Sequence, residues 1–187
     1  MENGYRYRVE DGHFCIELRL SRIRQIFDGR DPAPFRERDL DDHAVDYLVG
    51  AVEDLPRGAP FKVIVFVEEP LPPDLPAEAV IEAIRAHFSY DEMRVSREIR
   101  KHVRRGQGAL FVGLVALVAL LFLAELVSTG GAGHVRQIVR EGLVITGWVA
   151  MWRPLEALLY DWWPLWSDRK TKRKLQEAPI DVRKSLP

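Results

Sequence analysis

The sequence predicts an α+β head over residues 1–88, a helical stalk over 89–107, and then a two-helix transmembrane hairpin. Three observations carry that reading. The pair Asp11-Gly12 joins two runs that alternate apolar and polar residues. The run Phe61 to Val67, FKVIVFV, is apolar on both faces. The run Gly108 to Val127 carries Glu125 as its sole charge.

Asp-Gly favours a two-residue hairpin turn, because a type I′ turn needs positive φ at both positions. The implied register sets Val9 against Phe14, Tyr7 against Ile16 and Tyr5 against Leu18, with Arg6 facing Glu17 on the other side. One face is then apolar and the other holds an opposite-charge pair. SRIRQIF follows, either as a short helix capped by Ser21 or as a continuation of the strand. DGRDPAPFRERDLDD reads as loop, punctuated by glycine and proline. Asp39 or Asp41 caps the next helix, about Asp42 to Asp54, with Val45, Leu48 and Val52 on its apolar face and Tyr47 and Ala51 beside it. FKVIVFV is the third and best-buried strand. LPPDLP is a stiff connector.

From Pro76 onward the pattern is helical, with Val80, Ile84 and Phe88 in one stripe. Ser89 and Glu92 spell a capping box, which predicts a break or bend at Ser89–Tyr90. Beyond it Val95, Ile99 and Val103 form an apolar seam on a charged stalk, a pattern that fits a helix partner in cis or across a dimer. Arg94 to Glu98 and Glu98 to Lys101 have ion-pair spacing.

Residues 108–127 are long enough to cross a bilayer, which takes about 20 apolar residues. The second span, 142–166, is cleanly apolar only from Gly142 to Trp152 and borrows Arg153, Pro154 and Glu156 to complete its length. The competing reading of that segment is a re-entrant or interfacial helix. Bases cluster before the first span, at Arg97, Arg100, Lys101, Arg104 and Arg105. They cluster again after the second, from Arg169 to Lys174. The linker 128–141 holds Arg136 and Arg140. The positive-inside rule therefore sets both termini in the cytoplasm, with 167–187 as a basic tail near anionic lipid headgroups.

Two polar features stand out in the membrane segments. Pro154 lacks an amide proton, so a kink is expected there. Arg153 and Glu156 are one turn apart, with Asp161, Trp162, Trp163 and Trp166 following. The preferred reading is an interfacial anchor, with arginine snorkelling and indoles forming a belt at headgroup level. The sharper reading is a polar site between helices for a lipid headgroup or a subunit. Glu125, near the end of the first span, is placed either to bridge Arg140 or Arg136 or to sit solvated at the interface.

Bulk composition narrows the function classes. The net charge is −1 and the bases flank apolar segments, which argues against a nucleic-acid binder. A single cysteine, Cys15, excludes an intrachain disulfide. The N-terminus has no apolar signal-peptide core. Asp39 and His43 at i,i+4 are weak metal-ligand candidates, with helix-dipole stabilisation by the acids as the preferred explanation. No catalytic motif is found and no cofactor is implied.

The runs RDPAPFRERDLD, EDLP and above all GWVAMWRPLEALLYDWWP resemble those of an uncharacterised family of small bacterial inner-membrane proteins. That resemblance implies a two-span protein of the bacterial cytoplasmic membrane and brings no activity or cofactor with it. The function expected is that of a membrane-anchored interaction or assembly protein. Its partners would be the anionic bilayer together with a second copy or another protein. A transporter or channel subunit is the alternative, and a membrane enzyme with a metal in its head ranks third.

Overall fold

The computed structural model describes residues 6–34, 38–128, 133–160 and 162–184. The chain divides into two compact units, Met1–Arg94 with Asp168–Pro187, and Val95–Ser167.

The first unit starts at the hairpin. Asp11 and Gly12 have φ of 53° and 75°, the left-handed pair that a type I′ turn requires. They join β1 (Val9–Glu10) to β2 (His13–Leu20), with Val9 opposite Phe14 as the alternation predicts. The ladder is shorter than expected. Arg8 rather than Arg6 reaches Glu17, at 3.4 Å. Tyr7 turns its hydroxyl toward Asp54, at 3.4 Å, and Tyr5 lies outside the described residues.

A 3₁₀ turn over Ile23–Ile26 follows, tightened by Arg22 N–H donating to the Gln25 side chain at 3.1 Å. Helix α1 (Asp42–Glu53) is capped by Asp41, whose carboxylate accepts the N–H groups of His43 and Ala44. Its buried face is Ala44, Leu48, Ala51 and Val52. Strand β3 (Phe61–Val67) pairs parallel with β2, and its Val63, Ile64 and Val65 are almost fully buried.

Helix α2 (Ala77–Ser128) overturns the break expected at Ser89 and runs on without interruption. The reason is phase. Val80, Ile84, Phe88, Asp91 and Val95 are all buried at helical spacing, so the inward stripe does not rotate across Ser89. A capping-box pattern inside such a stripe has no helix end to cap.

The largest correction concerns residues 167–187, which the charge pattern reads as a basic tail. In the structure 167–177 lie in α4 (Trp163–Glu177) and 180–184 form β4 (Ile180–Lys184), while 185–187 lie outside the described residues. β4 pairs parallel with β3, with Val63 opposite Ile180, and completes a mixed, curled sheet in the order β1-β2-β3-β4. Leu175, Ala178 and Ile180 join the core formed by Ile16, Leu48, Val63, Val65, Ile84 and Phe88. Each large aliphatic side chain buried this way is worth roughly 1.5–3 kcal/mol. Three bases of α4 meet acids. Arg169 pairs with Glu92, Lys172 with Asp91 at 3.1 Å and Asp168 at 3.3 Å, and Arg173 with Glu177 at 3.0 Å.

The second unit contains the rest of α2 and α3 (His134–Leu159). α2 is long and apolar enough to cross a membrane by length and composition, and only 17% of its most apolar window is buried. Among the described residues α3 does not meet that test, so of the two expected spans only the first is long and apolar enough to cross. The physical reason is the short apolar core of α3. Arg136, Arg140 and Glu141 precede it, and Arg153 and Glu156 follow.

Candidate functional site

Within the second unit α2 and α3 pack antiparallel through glycines. A Cβ on Gly106 would lie 2.8 Å from Leu158 Cδ2, and one on Gly147 would lie 2.8 Å from Leu117 Cδ1. A Cβ on Gly113 would meet the Pro154 ring at 3.2 Å and the Ala150 carbonyl at 3.6 Å. Small residues let helix backbones approach closely, as in membrane helix pairs. Pro154 is thereby explained. It is buried inside a helix that continues to Leu159, its ring seats on Gly113, and the carbonyl its missing N–H would have bonded, Ala150, faces the same glycine. The spacings Gly106 to Gly113 and Gly147 to Pro154 were visible in the sequence as i,i+7 pairs on one helix face.

The outward surface of this unit is apolar. Phe111, Val112, Val118 and Phe122 on α2 and Ile138, Ile145, Trp148 and Trp152 on α3 are each more than half exposed. An exposed apolar surface of this kind marks a partner or a membrane.

The polar residues singled out from the sequence separate into distinct places. Arg153 Nη1 meets Glu156 Oε2 at 3.0 Å, an intrahelical pair on a well-exposed face. Glu125 and Arg140 are exposed, and no ion pair joins them among the described residues. The Trp162 indole N–H donates to the Leu158 carbonyl at 2.8 Å, satisfying one of the orphan acceptors at the end of α3. The Trp162 and Trp163 rings lie 6.4 Å apart, and Trp163 and Trp166 are exposed. Asp161 lies outside the described residues.

In the first unit the Asp39–His43 candidate is not assembled. His43 is exposed on α1, while Asp39 Oδ1 stands 3.2 Å from Nδ1 of His87 on α2. The Leu40 amide N lies 3.4 Å from the same ring nitrogen. No group of three or more His, Cys, Asp or Glu side chains suited to a metal occurs among the described residues. The loop before α1 is organised by its own acids. Asp31 accepts the Ala33 and Asp39 amides at 2.9 Å and 2.8 Å, and those bonds hold its carboxyl below the usual range.

One constellation was not foreseen from the sequence. On the sheet face opposite the core, Glu10 of β1 receives Arg183 of β4 at 3.2 Å and Lys62 of β3 at 3.1 Å. Arg183 also meets Asp181 at 2.7 Å. The hydrogen bonds from Arg183 and Lys62 lower the Glu10 carboxyl to about 2, and the same carboxylates raise the Arg183 guanidinium. The Cys15 thiol lies 3.9 Å from Glu10, and Cys15 and Ile64 are buried outside the main core. The signal was absent because the three charges come from strands far apart in the chain. No family model, no curated protein and no solved structure matches this chain.

Proposed function

We propose that this is a membrane-anchored interaction or assembly protein of the bacterial inner membrane, held there by α2 and α3, with its head in the cytoplasm. The observation that supports it is strand order. β4 pairs with β3 although α2 and α3 lie between them in the chain. Paired strands lie about 5 Å apart, so both must be on the same side of a bilayer. If α2 crosses, the chain has to return before β4, and α3 is the segment available for the return. The charged end of α3 suits that task, because Arg153 snorkels and the tryptophans favour headgroup level. The bases Arg97 to Arg105 ahead of the apolar run favour a cytoplasmic head. The likeness of GWVAMWRPLEALLYDWWP to small bacterial inner-membrane proteins rests on sequence alone and points the same way. An assembly role is supported by the exposed apolar surface of the second unit, which lipid and a helix partner, a second copy or another protein, would cover.

The test uses the chain's cysteine content. Cys15 is 1% exposed, so an introduced cysteine labels alone. Glu53→Cys, His134→Cys and Lys184→Cys are treated with a membrane-impermeant maleimide in intact spheroplasts and in inverted vesicles. Glu53→Cys and Lys184→Cys should label only in inverted vesicles, and His134→Cys only in spheroplasts. Opposite sidedness of positions 53 and 184 overturns the reading, as does release of the chain by an alkaline wash.

A further inference from the structure

Helix α2 carries two grooves in series. The first, a cavity of about 520 Å³, is lined by Arg97, Ile99, Arg100, Lys101, Val103 and Arg104. The second, about 490 Å³ and almost wholly apolar, is lined by Leu114, Val115, Val118, Ala119 and Phe122. Their alignment follows from helix geometry. At about 100° per residue, Arg97, Lys101, Arg104, Phe111, Val115 and Phe122 fall within about 40° of one direction. Gly106, Gly113 and Leu117, which touch α3, fall about 180° away. The bases Arg97, Lys101 and Arg104 and the apolar groove therefore share one stripe that α3 leaves open, while Ile99 and Val103 of the first groove lie within about 60° of the direction of Gly106. Gly108, between them, has nothing within 4 Å of where its Cβ would be. From Gly108 to Val118 the stripe rises about 15 Å, the thickness of one leaflet of a ~30 Å hydrocarbon core.

We infer that this stripe is a binding site for one anionic diacyl phospholipid, its phosphodiester headgroup among Arg97, Lys101 and Arg104 and an acyl chain along Phe111 to Phe122. The inference rests on the membrane reading above and names the ligand class. Charge selects the occupant. Lys101 and Arg104 hold no ion pair among the described residues, so these two bases are open to an anion. A second copy in the same membrane orientation would bring the same bases against themselves, and like charges in register repel. An anionic headgroup joined to an apolar tail matches both ends of the stripe. Juxtamembrane bases each add attraction to anionic lipid, and three acting on one headgroup give on the order of 10- to 100-fold preference over a zwitterionic lipid.

The experiment is native mass spectrometry of the delipidated full-length chain in detergent, titrated with dioleoylphosphatidylglycerol, dioleoylphosphatidylcholine, or glycerophosphoglycerol, the headgroup without chains. One phosphatidylglycerol should be retained at least tenfold more tightly than phosphatidylcholine, and the chainless headgroup should not compete. Lys101→Gln with Arg104→Gln, and the triple variant that adds Arg97→Gln, should lose that preference while keeping the wild-type melting temperature. A charge-matched control, Arg105→Gln with Arg136→Gln and Arg140→Gln, should keep it. Equal retention of the two lipids overturns the inference, and so does equal loss in the control. Competition by the chainless headgroup reduces the site to a phosphate site and also overturns it. Dimers that strengthen when the bases are removed assign the face to a second copy instead. If the chain fractionates with membranes but shows no lipid preference, this inference alone fails. If it does not fractionate with membranes, the reading beneath it fails.

Discussion

Lys172 of α4 meets Asp91 of α2 at 3.1 Å, and both side chains are nearly buried, at 11% and 7% exposure. Arg94 and Asp168 complete the group at 3.3 Å each. Breaking a buried pair from one side strands a charge, at a cost of about 3–5 kcal/mol. Lys172→Met alone is expected to destabilise the head by that order. Lys172→Met with Asp91→Leu should recover most of the loss, because no charge is left behind. Urea unfolding of the detergent-solubilised chain, followed by circular dichroism, measures both. A double variant as unstable as the single one would show that the pair matters for packing alone.

The Glu10 carboxyl sets a pH dependence. Its value falls from the ordinary 4.5 to about 2 in the folded chain, chiefly through Arg183 and then Lys62. A depressed folded value means the unfolded state binds the proton more readily. The stabilisation is therefore complete above pH 4.5 and is lost as pH falls toward about 2. Glu10→Gln should flatten the stability profile in that window and leave the neutral-side slope unchanged. Acid titration of intrinsic fluorescence at several urea concentrations gives the profile.

Gly12 has φ of 75° with open space around it, so a side chain there meets backbone strain and no clash. Gly12→Val should cost about 1–2 kcal/mol from the left-handed conformation, and more with the β-branch. Gly12→Asn, a residue that tolerates this region, should cost less. The order of the melting temperatures, glycine above asparagine above valine, is the check.

The helix pair makes a sharper contrast between two glycines of α3. Gly147→Leu would drive a side chain into Leu117, whose Cδ1 stands 2.8 Å from the Cβ position, and should separate the helices. Gly142→Ala enters open space and should be neutral, or stabilising by at most about 1 kcal/mol through helix propensity. Trypsin resistance of the region 95–167 in detergent reads the difference.

Arg153 touches Glu156 through one nitrogen and one oxygen, not a bidentate fork. Lysine reproduces a single contact and snorkels as well, so Arg153→Lys should keep wild-type oligomer and bound lipid in native mass spectrometry. The reversal Arg153→Glu with Glu156→Arg should retain the pair in part. Loss of lipid or oligomer in Arg153→Lys would assign Arg153 to a polar site instead of an anchor.

Much of the head was legible because local chemistry decides it. Asp11-Gly12 dictates its turn by φ alone, and Asp41 caps α1 by reaching amides two and three residues on. Phe61 to Val67 declares a buried strand by composition. The run from Gly108 declares an apolar helix in the same way. The candidate site was legible only as a set of types. Arg153 and Glu156 are paired at the spacing expected. Asp39 found His87 instead of His43, because α2 packs beside the loop while His43 points off α1.

What the sequence by itself determined is a set of features fixed by near neighbours: the turn, the cap of α1, the third strand and the apolar run of α2. The tertiary structure decided where the last segment goes. Arg169 and Lys172 look like part of a solvated basic run until Glu92 and Asp91 are brought opposite α4, and IDVRK looks like a polar end until β3 offers it an edge. Such contacts join residues far apart in the chain. Their free energy comes from burial of Leu175, Ala178 and Ile180 and from pairing charges that no local window contains.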